Sequence, residues 1–503
     1  MIYEYFDKDS IKTKVCIIGS GIGGGTIAKK LSECGVDFVI IEAGDRLVGS
    51  SNVTYDSVGR EFGVRSTTAV ALGGTSNLWH GVLAPLDKID FEKRDWIEYS
   101  GWPIDFDELK PHYKEASNLF GVENHDFFEI SDLDEKHKKQ LDELSYNRNY
   151  LKNKLFQQPT TPLNFKTVIE DVCGAADKND CYLNSVGLEL VRENDKTTKI
   201  KVGTKEKKIG YVEADIFIVA AGALETPRLL LNSGFKNLNI GKFLMDHPMG
   251  NLCQLIFKNP KKYPIYSDTK YSHHMKIKTG LELTDEKQKE LQMPNHNFYL
   301  RPSFVKGIDD ESEKVKLSLL AFKDGGVTVK DVWKVLTSPN VVKQIISYKL
   351  SLDVTYKYAD LFFVTEQIPN PDSTVSLSNR ADEWGYKVAK VDWRVLEEDI
   401  SKLKELYVLL LKEFFPSDEF EFTHSDSDFN WEKIYTSAIH HVGTAKMGAN
   451  YDEGVVDSNL SLFESKNVFV CDGSVFTTAG NVNNGLTISA LAHRLAGHLK
   501  GIL

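Results

Sequence analysis

The stretch KVCIIGSGIGGGTIAKKLSECGVDFVIIEAG, Lys14 to Gly44, decides the fold. It opens with a short apolar strand, passes through three glycines in the order G-x-G-x-x-G (Gly19, Gly21 and Gly24) and a helical pattern, and ends in a β-rich strand that closes on Glu42. Gly19 permits a tight turn, Gly21 lets backbone approach a pyrophosphate at the helix N-terminus, and Gly24 lets helix and strand pack closely. An acidic group at Glu42 accepts hydrogen bonds from ribose hydroxyls and repels the 2′-phosphate of NADP. The stretch therefore predicts a dinucleotide-binding βαβ unit for NAD or FAD.

The bulk properties bound the class of protein. A chain of 503 residues is too long for one ordinary hydrophobic core, so two domains are expected. The net charge of −11 argues against nucleic acid or anionic lipid as the main partner.

Targeting and cysteine signals are also informative. The first apolar run has no basic region and no small-residue cleavage site around it, and no apolar stretch reaches the length of a membrane span. The six cysteines are scattered and form no C-x-x-C, so neither a zinc site nor a disulfide framework is predicted. We expect a cytoplasmic protein without a transmembrane segment.

A second loop of small residues follows, TTAVALGGTSNLWHGVL from Thr67 to Leu83. Gly73 and Gly74 let backbone come close to a flat ring system, while Ser76 and Asn77 offer short hydrogen-bonding side chains. These four residues are predicted to bind the cofactor.

Two later strand-to-turn junctions have the same character. ADIFIVAAGALETPRLLLNSG (214–234) is a buried strand followed by Gly222 and a helix with a proline in its first turn. NVFVCDGSVFTTAGNVNNGLT (467–487) is a strand followed by Asp472, Gly473 and a loop rich in glycine and asparagine. We predict that Gly222, Asp472 and Gly473 also line the cofactor site.

Together these motifs resemble the glucose–methanol–choline (GMC) oxidoreductase family, over the whole chain and in the family's order. The matching stretches are the N-terminal glycine motif ending in IEAG, GGTSNLW (73–79), GWPIDFDELKPHY (101–113), GALETPRLLLNSG (222–234), IGKFLMDHP (240–248), QIPNPDSTVSLS (367–378), HHVGTAKMG (440–448) and DGSVFTTAGNVNNGLT (472–487). The compact length and the GGTSNLW loop look closest to bacterial sugar dehydrogenases and pyranose-oxidising members.

The resemblance implies FAD as the cofactor and an α/β fold with two interleaved domains. A Rossmann-like FAD-binding domain is expected from 12–100, 166–250 and 440–503. A substrate-binding domain built on an antiparallel sheet is expected from 101–165 and 251–439. Within the latter, 360–392 reads as strand, turn-rich loop, strand, turn, strand.

The family pattern H-x-x-G-T-x-x-M-G assigns the catalytic base to His440. Alcohol oxidation by a flavin needs a base near the hydroxyl, and a neutral imidazole suits that task. His441 is expected to be a supporting residue, and a zinc site at the pair is disfavoured because neighbouring side chains point to opposite faces. The loop NVNNGLT supplies Asn483 as the partner group, with Asn484 as the alternative. His247, in DHP, is interpreted as structural.

Several family members tether FAD through a histidine, and the corresponding position here is Leu78, with His80 two residues further on. We therefore expect non-covalent FAD. The expected reaction is oxidation of a CH–OH group, with a ring hydroxyl of a sugar or glycoside favoured. A non-sugar alcohol, or a non-redox lyase reaction on the same scaffold, is the alternative.

Other features stay open. Oxygen, a quinone or a redox partner protein are equal candidates for the electron acceptor, and the sequence does not indicate an oligomeric state. The charged segment 123–153 and the amphipathic segment 327–351, broken at Pro339, are interpreted as surface helices. Lids, oligomer contacts and docking surfaces are the alternatives.

Overall fold

The computed structural model is a mixed α/β architecture with three β-sheets and helices packed around them. The residues that the structure describes are 1–48, 55–59, 68–122, 128–175, 178–204, 206–267, 272, 274–307, 333, 337, 339–350, 352, 354–423, 431 and 434–503.

Strands and helices are numbered in chain order. The strands are β1 Ile2–Tyr3, β2 Ser10–Ile18, β3 Phe38–Ile41, β4 Asp56–Gly59, β5 Leu151–Pro159, β6 Asn179–Tyr182, β7 Ser185–Glu193, β8 Lys196–Thr204, β9 Ile209–Val219, β10 Pro248–Lys262, β11 Met275–Leu283, β12 His296–Ser303, β13 Thr355–Thr365, β14 Thr374–Ala381, β15 Lys387–Trp393, β16 Phe420–Phe422, β17 Thr436–Ser437 and β18 Val468–Val470. The α-helices are α1 Ile22–Glu33, α2 Lys88–Phe91, α3 Phe106–Leu119, α4 Glu135–Asp142, α5 Phe165–Ala175, α6 Gly222–Asn232, α7 Asp285–Leu291, α8 Pro339–Leu350, α9 Glu397–Leu409 and α10 Gly485–Lys500.

The first sheet contains the glycine-rich N-terminal stretch. Its order is β1-β6-β3-β2-β9-β8-β7, with β18 paired to β9, and the strands from β1 to β9 along this order, together with β18, are parallel. Every residue of β3 is buried, as expected for a parallel strand covered on both faces. Helix α1 connects β2 to its neighbour β3, so the predicted βαβ unit is present.

Helix α10 closes one face of this sheet. It contacts α1 through the hydroxyls of Thr26 and Ser489, 3.1 Å apart, and α3 through Tyr113 and Thr487, whose hydroxyls lie 2.9 Å apart. The helix is buried along most of its length, as its apolar sequence favours. The C-terminal segment is thus packed on the N-terminal βαβ unit.

The second sheet is antiparallel and has the order β16-β10-β13-β12-β11-β5, with β17 paired to β10. Side chains on its two faces enter different cores. Phe298 and Phe363 pack in one apolar cluster, whereas Tyr299 and Phe362 belong to the cluster that also holds the first sheet. One face of the second sheet therefore lies against the part of the molecule that contains the first sheet.

A third, smaller sheet has the order β14-β15-β4. Strands β13, β14 and β15 reproduce the predicted strand, loop, strand, turn and strand of 360–392. The parallel pairing of β4 with β15 joins segments more than 300 residues apart, and no local pattern in the sequence signals it.

The expected domain boundaries stay a proposal. Strand β5 joins the second sheet and β6 to β9 join the first, as the division requires. Strand β10 begins at Pro248, just before the expected boundary at 250.

The charged segment 123–153 and the amphipathic segment 327–351 each contain one described α-helix. Helix α4 lies within 123–153, and α8 begins at Pro339, where the break was expected. Much of 327–338 lies outside the described residues. No helix in the described part of the chain is both long and apolar enough to cross a membrane.

Candidate active site

The candidate site forms where the DHP segment and the double-histidine segment run side by side. Strand β17 pairs with the start of β10, with Ser437 opposite Pro248. Further along, the backbones of Met245 and Val442 exchange two hydrogen bonds of 2.9 and 3.0 Å. This register places residue 247 next to residue 440.

The carboxylate of Asp246 holds the two segments in this register. Its buried carboxylate accepts hydrogen bonds from the backbone N–H of His440 (3.0 Å) and of His247 (2.6 Å). It also accepts one from the hydroxyl of Ser437 at 2.5 Å. A single carboxylate therefore sets the backbone on both sides of the histidine pair.

The imidazole of His440 is held at both nitrogens. Its Nδ1 lies 2.9 Å from Nδ1 of His247, and its Nε2 lies 2.7 Å from the amide Nδ2 of Asn483. Burial, reinforced by the neighbouring His247, lowers the pKa of His440 to about 3. The ring is therefore neutral at physiological pH, the form that a general base requires.

Asn483, and not Asn484, faces His440. Asn484 instead occupies the N-cap position of α10, where its carbonyl accepts the hydrogen bond from Ile488 N–H at 2.9 Å. The geometry thus favours the first of the two asparagines.

A buried polar network anchors the loop that carries Asn483. Two residues earlier, the side-chain amide of Asn481 donates to Glu282 at 3.0 Å and to the amide oxygen of Asn295 at 2.8 Å. Asn295 in turn donates to Asp87 and to Asp90, each at 3.0 Å. The loop is therefore held by Glu282 of β11, by Asn295 just before β12 and by the segment around α2, and each link is buried or nearly so.

His441 occupies a different position from His440. Its Nε2 lies 3.8 Å from a carboxylate oxygen of Asp246, beyond hydrogen-bond distance. Burial lowers the pKa of His441 as well. It flanks the aspartate whose carboxylate accepts hydrogen bonds from the backbone of His247 and His440.

The glycines of the first turn divide into two roles. A Cβ on Gly19 would lie 2.4 Å from the carbonyl oxygen of Ala220, and one on Gly24 would lie 2.0 Å from the carbonyl oxygen of Gly19. A Cβ on Gly21 would approach only the Cα of Gly74, at 4.0 Å. Gly19 and Gly24 therefore serve close packing, while Gly21 leaves open space at the N-terminus of α1, where unpaired N–H groups favour an anion.

Glu42 connects the first glycine turn to the second loop. Its carboxylate accepts hydrogen bonds from the hydroxyl of Ser20 (2.6 Å) and the N–H of Gly44 (2.8 Å), and the Ser20 oxygen accepts from Gly73 N–H at 2.9 Å. Burial raises the pKa of Glu42, and these hydrogen bonds oppose that shift. The acid at the end of β3 thus lies at the centre of a small network.

Ser76 and Asn77 shape the second loop. The Ser76 hydroxyl donates to the carbonyl of Gly73 at 2.6 Å, and the Asn77 amide donates to the carbonyl of Gly74 at 2.8 Å. These bonds hold a short 3₁₀ turn that sets Gly74 against Gly21. Both polar side chains are used within the loop in this structure.

Asp472 joins the ends of two parallel strands. One carboxylate oxygen accepts from Gly222 N–H (2.9 Å) and from the hydroxyl of Thr226 (2.6 Å), and the other accepts from Ser474 N–H at 2.8 Å. Gly222 has φ of +83°, and a Cβ there would meet no other atom within 4 Å. This open space lies at the start of α6.

Gly473 brings the Asp472 turn against the histidine segment, because a Cβ on Gly473 would lie 2.9 Å from the carbonyl oxygen of His441. The structure thus collects the predicted residues at the carboxyl ends of the parallel strands β2, β3, β9 and β18. That edge is where ligands bind in open α/β sheets. Bare backbone, open space and an acidic group at this edge fit a dinucleotide.

Sequence reasoning singled out neither Asp246 nor the contact between His247 and His440. His247 was interpreted as structural, whereas its ring contacts that of His440, with ring centroids 5.1 Å apart. The motif DHP, which leads directly into β10 at Pro248, was the available signal. Its distance of almost 200 positions from His440 concealed the contact.

The described residues contain no group of three or more His, Cys, Asp or Glu side chains arranged to hold a metal ion. Leu78 ends the 3₁₀ turn, and His80 is exposed.

Comparisons with known proteins agree with the resemblance seen in the sequence. Two family models match, both described as GMC oxidoreductase: an N-terminal model over residues 180–249 and a C-terminal model over residues 369–492.

Alignments with similar proteins cover almost the entire chain. A long-chain-alcohol oxidase of Arabidopsis thaliana is 24% identical, with 99% of this chain and 68% of that protein aligned. A 2-methyl-1,2-propanediol dehydrogenase of Mycolicibacterium austroafricanum is 22% identical, with 97% and 95% aligned. Among solved structures, a pyridoxine 4-oxidase from Mesorbium loti shares the fold, with a TM-score of 0.57, 15% identity and coverage of 97% and 99%.

Proposed function

The chain belongs to the GMC oxidoreductase family, and we propose that it oxidises the CH–OH group of an alcohol at a site formed by His440 and Asn483. As a member of this family it is an FAD-dependent oxidoreductase acting on CH–OH donors. The observation that carries the proposal is the contact of 2.7 Å between His440 Nε2 and Asn483 Nδ2. A neutral base and a hydrogen-bond donor thus meet at one point.

The cofactor residues follow from the geometry of the edge. We assign the pyrophosphate to the N-terminus of α1 beside Gly21 and the ribose to Glu42. The loop with Gly73, Gly74, Ser76 and Asn77 and the turns at Gly222, Asp472 and Gly473 form the remaining walls. FAD, when bound, supplies the acceptor for the hydride that leaves the carbinol carbon. Non-covalent attachment stays our prediction, since Leu78 stands where other members have a histidine.

The protein's own groups handle the proton and the orientation of the substrate. His440 Nε2 accepts the hydroxyl proton, and Asn483 Nδ2 donates a hydrogen bond to the same oxygen. Two groups on one oxygen fix the direction of the carbon–hydrogen bond, which is the positioning that such a reaction needs. In the absence of substrate, the two groups satisfy each other.

For the substrate class, the relatives favour an aliphatic alcohol. Their names specify a long-chain alcohol and a small branched diol, and their alignments cover nearly all of this chain. A sugar hydroxyl, favoured by the sequence motifs, is the second candidate.

The remaining parts of the proposal concern partners and organisation. Electrons leave to oxygen, a quinone or a redox partner protein. The discontinuous FAD-binding and substrate-binding domains have the boundaries given above, and a cytoplasmic location is retained as a proposal.

The test is anaerobic mixing of the FAD-loaded protein with 1-octanol, 2-methyl-1,2-propanediol, benzyl alcohol and D-glucose, followed by the loss of flavin absorbance. We expect reduction by 1-octanol to be the fastest; reduction by D-glucose alone would select the sugar candidate. Reduction by none of a broad set of alcohols and sugars would contradict the proposed function.

A matched pair of variants tests the assignment of the base. His440→Ala should slow flavin reduction by roughly 10²- to 10⁴-fold, the usual contribution of a general base, while FAD stays bound. His441→Ala should slow it much less. If the effects were reversed, the base would be His441 and our assignment of His440 would be wrong.

A further inference from the structure

The hydrogen bonds around His247 determine which nitrogen of each histidine carries a proton. His247 Nε2 lies 3.1 Å from the backbone carbonyl oxygen of Ala479. A carbonyl oxygen only accepts, so Nε2 of His247 must carry a proton and donate it.

The protonation state of the other ring nitrogen of His247, Nδ1, follows from the charge of the ring. The ring is fully buried, and burial lowers the pKa of His247 even though the carboxylates of Asp246 and Glu366 oppose the shift. A neutral imidazole has one N–H, and here it is used at Nε2. Nδ1 of His247 is therefore an acceptor.

The state of His440 follows in turn. Its Nδ1 lies 2.9 Å from the acceptor Nδ1 of His247, so His440 must donate from Nδ1. The pKa of His440 is lowered to about 3, so this ring is neutral as well and its Nε2 has no proton. That nitrogen accepts a hydrogen bond from the amide Nδ2 of Asn483, which is a donor. All four groups are satisfied by one pattern.

We propose that His247 is a positioning residue, which holds His440 in the Nδ1–H form so that its bare Nε2 faces the substrate hydroxyl. The inference rests on the proposed function, in which His440 is the base. His247 has the place that a carboxylate or carbonyl takes behind other catalytic or metal-binding histidines, where it sets the tautomer and the ring orientation.

The same contact matters after proton transfer. When His440 Nε2 takes the hydroxyl proton, the ring becomes a cation that still donates from Nδ1 to His247. An imidazole acceptor polarises toward that donor, and Asp246 lies beside both rings, with its carboxylate on their backbone N–H groups. The hydrogen bond to His247 is thus kept when His440 is protonated, and the Asp246 carboxylate partly offsets the effect of burial, which lowers the pKa of His440.

The reverse tautomer is disfavoured by a simple count. If His440 carried its proton on Nε2, its bare Nδ1 would face the bare Nδ1 of His247. Two acceptors would then lie 2.9 Å apart in a buried site. His247 could relieve this only by moving its proton to Nδ1, which would leave two acceptors facing each other at Ala479.

The test compares His247→Asn with His247→Leu. The Asn oxygen can accept from His440 Nδ1–H, whereas Leu cannot, although it fills a similar volume. The control is His296→Asn, which changes another buried histidine, one that hydrogen-bonds to Thr365 in the second sheet.

The first readout is independent of turnover. Long-range ¹H–¹⁵N spectra of the FAD-loaded protein with ¹⁵N-labelled histidine identify the protonated nitrogen of each ring, and the His440 signals are assigned by their loss in His440→Gln. We expect the Nδ1–H form in the wild type, in His247→Asn and in His296→Asn, and the Nε2–H form or a mixture in His247→Leu. A wild-type His440 protonated at Nε2 would overturn the proposal.

The second readout is the rate of flavin reduction by the most reactive alcohol of the panel. His247→Leu should be slower by about 100-fold or more, His247→Asn by no more than about 10-fold, and His296→Asn close to the wild type. If His247→Leu kept both the wild-type tautomer and the wild-type rate, His247 would have no positioning role. If instead His440→Ala reduced the flavin at the wild-type rate, the proposed function would fail while the tautomer result stood by itself. Should His247→Leu not retain FAD, the wild-type spectrum and His247→Asn still decide.

Discussion

At the scale of single residues, a small number of side chains defines the candidate site. One carboxylate, Asp246, fixes the backbone of both His247 and His440, and one amide, that of Asn483, contacts Nε2 of His440. The motif around His440 was recognisable in the sequence, and so was the asparagine loop. The chemistry of His247 was not, because a tautomer depends on hydrogen-bond partners such as the carbonyl of Ala479, which no sequence pattern reveals.

The lowered pKa of His440 leads to a prediction about pH. A histidine in water is half protonated near pH 6.5, but His440 stays mostly neutral until the pH falls toward about 3. The rate constant for flavin reduction should therefore not fall through protonation of this base between pH 8 and pH 5. Stopped-flow reduction across that range checks this, with far-UV circular dichroism to confirm that the protein stays folded. A loss of rate with a midpoint near pH 6.5 would show that the base titrates like a free imidazole.

At the scale of secondary-structure elements, most of the elements around the candidate site were predictable. The βαβ unit, the strands of 360–392 and the helix break at Pro339 follow from apolar periodicity and from glycine and proline signals, which act locally. Asp472 and Ser76 were predicted to line the cofactor, yet their side chains hydrogen-bond to neighbouring protein groups. Sequence patterns singled out these loops but did not reveal which atoms each side chain would meet.

The close approach of α1 and β2 gives a prediction with a matched control. A Cβ at Gly24 would lie 2.0 Å from the carbonyl oxygen of Gly19, whereas one at Gly497, in α10, would meet nothing within 4 Å. Gly24→Ala should push the helix off the turn and lower both thermal stability and FAD content. Gly497→Ala should leave FAD content unchanged and raise the free energy of unfolding by up to about 1 kcal/mol, because alanine is the better helix former. Equal FAD content in the two variants would contradict the packing role of Gly24.

At the scale of the whole molecule, the long-range pairings were the least predictable part. The family resemblance implied two interleaved domains, but the joining of β4 to β15 and the polar network around Asn295 connect segments far apart in the chain. Such contacts are set by the assembled fold, and a single sequence contains no local trace of them. Buried charged residues are also hard to predict from sequence, because charged side chains usually lie on the protein surface.

The buried ion pair of Arg94 and Glu366 allows this network to be tested. The guanidinium makes two hydrogen bonds to the carboxylate, of 2.7 and 2.5 Å, and both side chains are at most 1% exposed. Arg94→Met leaves a buried carboxylate without its cation and should lower the free energy of unfolding by about 3–5 kcal/mol. Lys88→Met, which breaks an exposed pair with Asp107, should change it by less than about 1 kcal/mol. Chemical denaturation measures both, and similar values for the two variants would argue against a role for the buried pair in stability.

The position of α10 has a consequence for synthesis of the protein. Residues 468–500 contain β18, Asp472, Asn483 and α10. These contact β9, Gly222 at the start of α6, His440 and α1, respectively, all of which are synthesised earlier. A nascent chain released short of these residues has its first glycine turn but neither the asparagine nor the helix that covers α1. The proposed pair of His440 and Asn483 therefore forms only after residues 468–500 have been synthesised, so translation products that stop before them would lack the proposed activity.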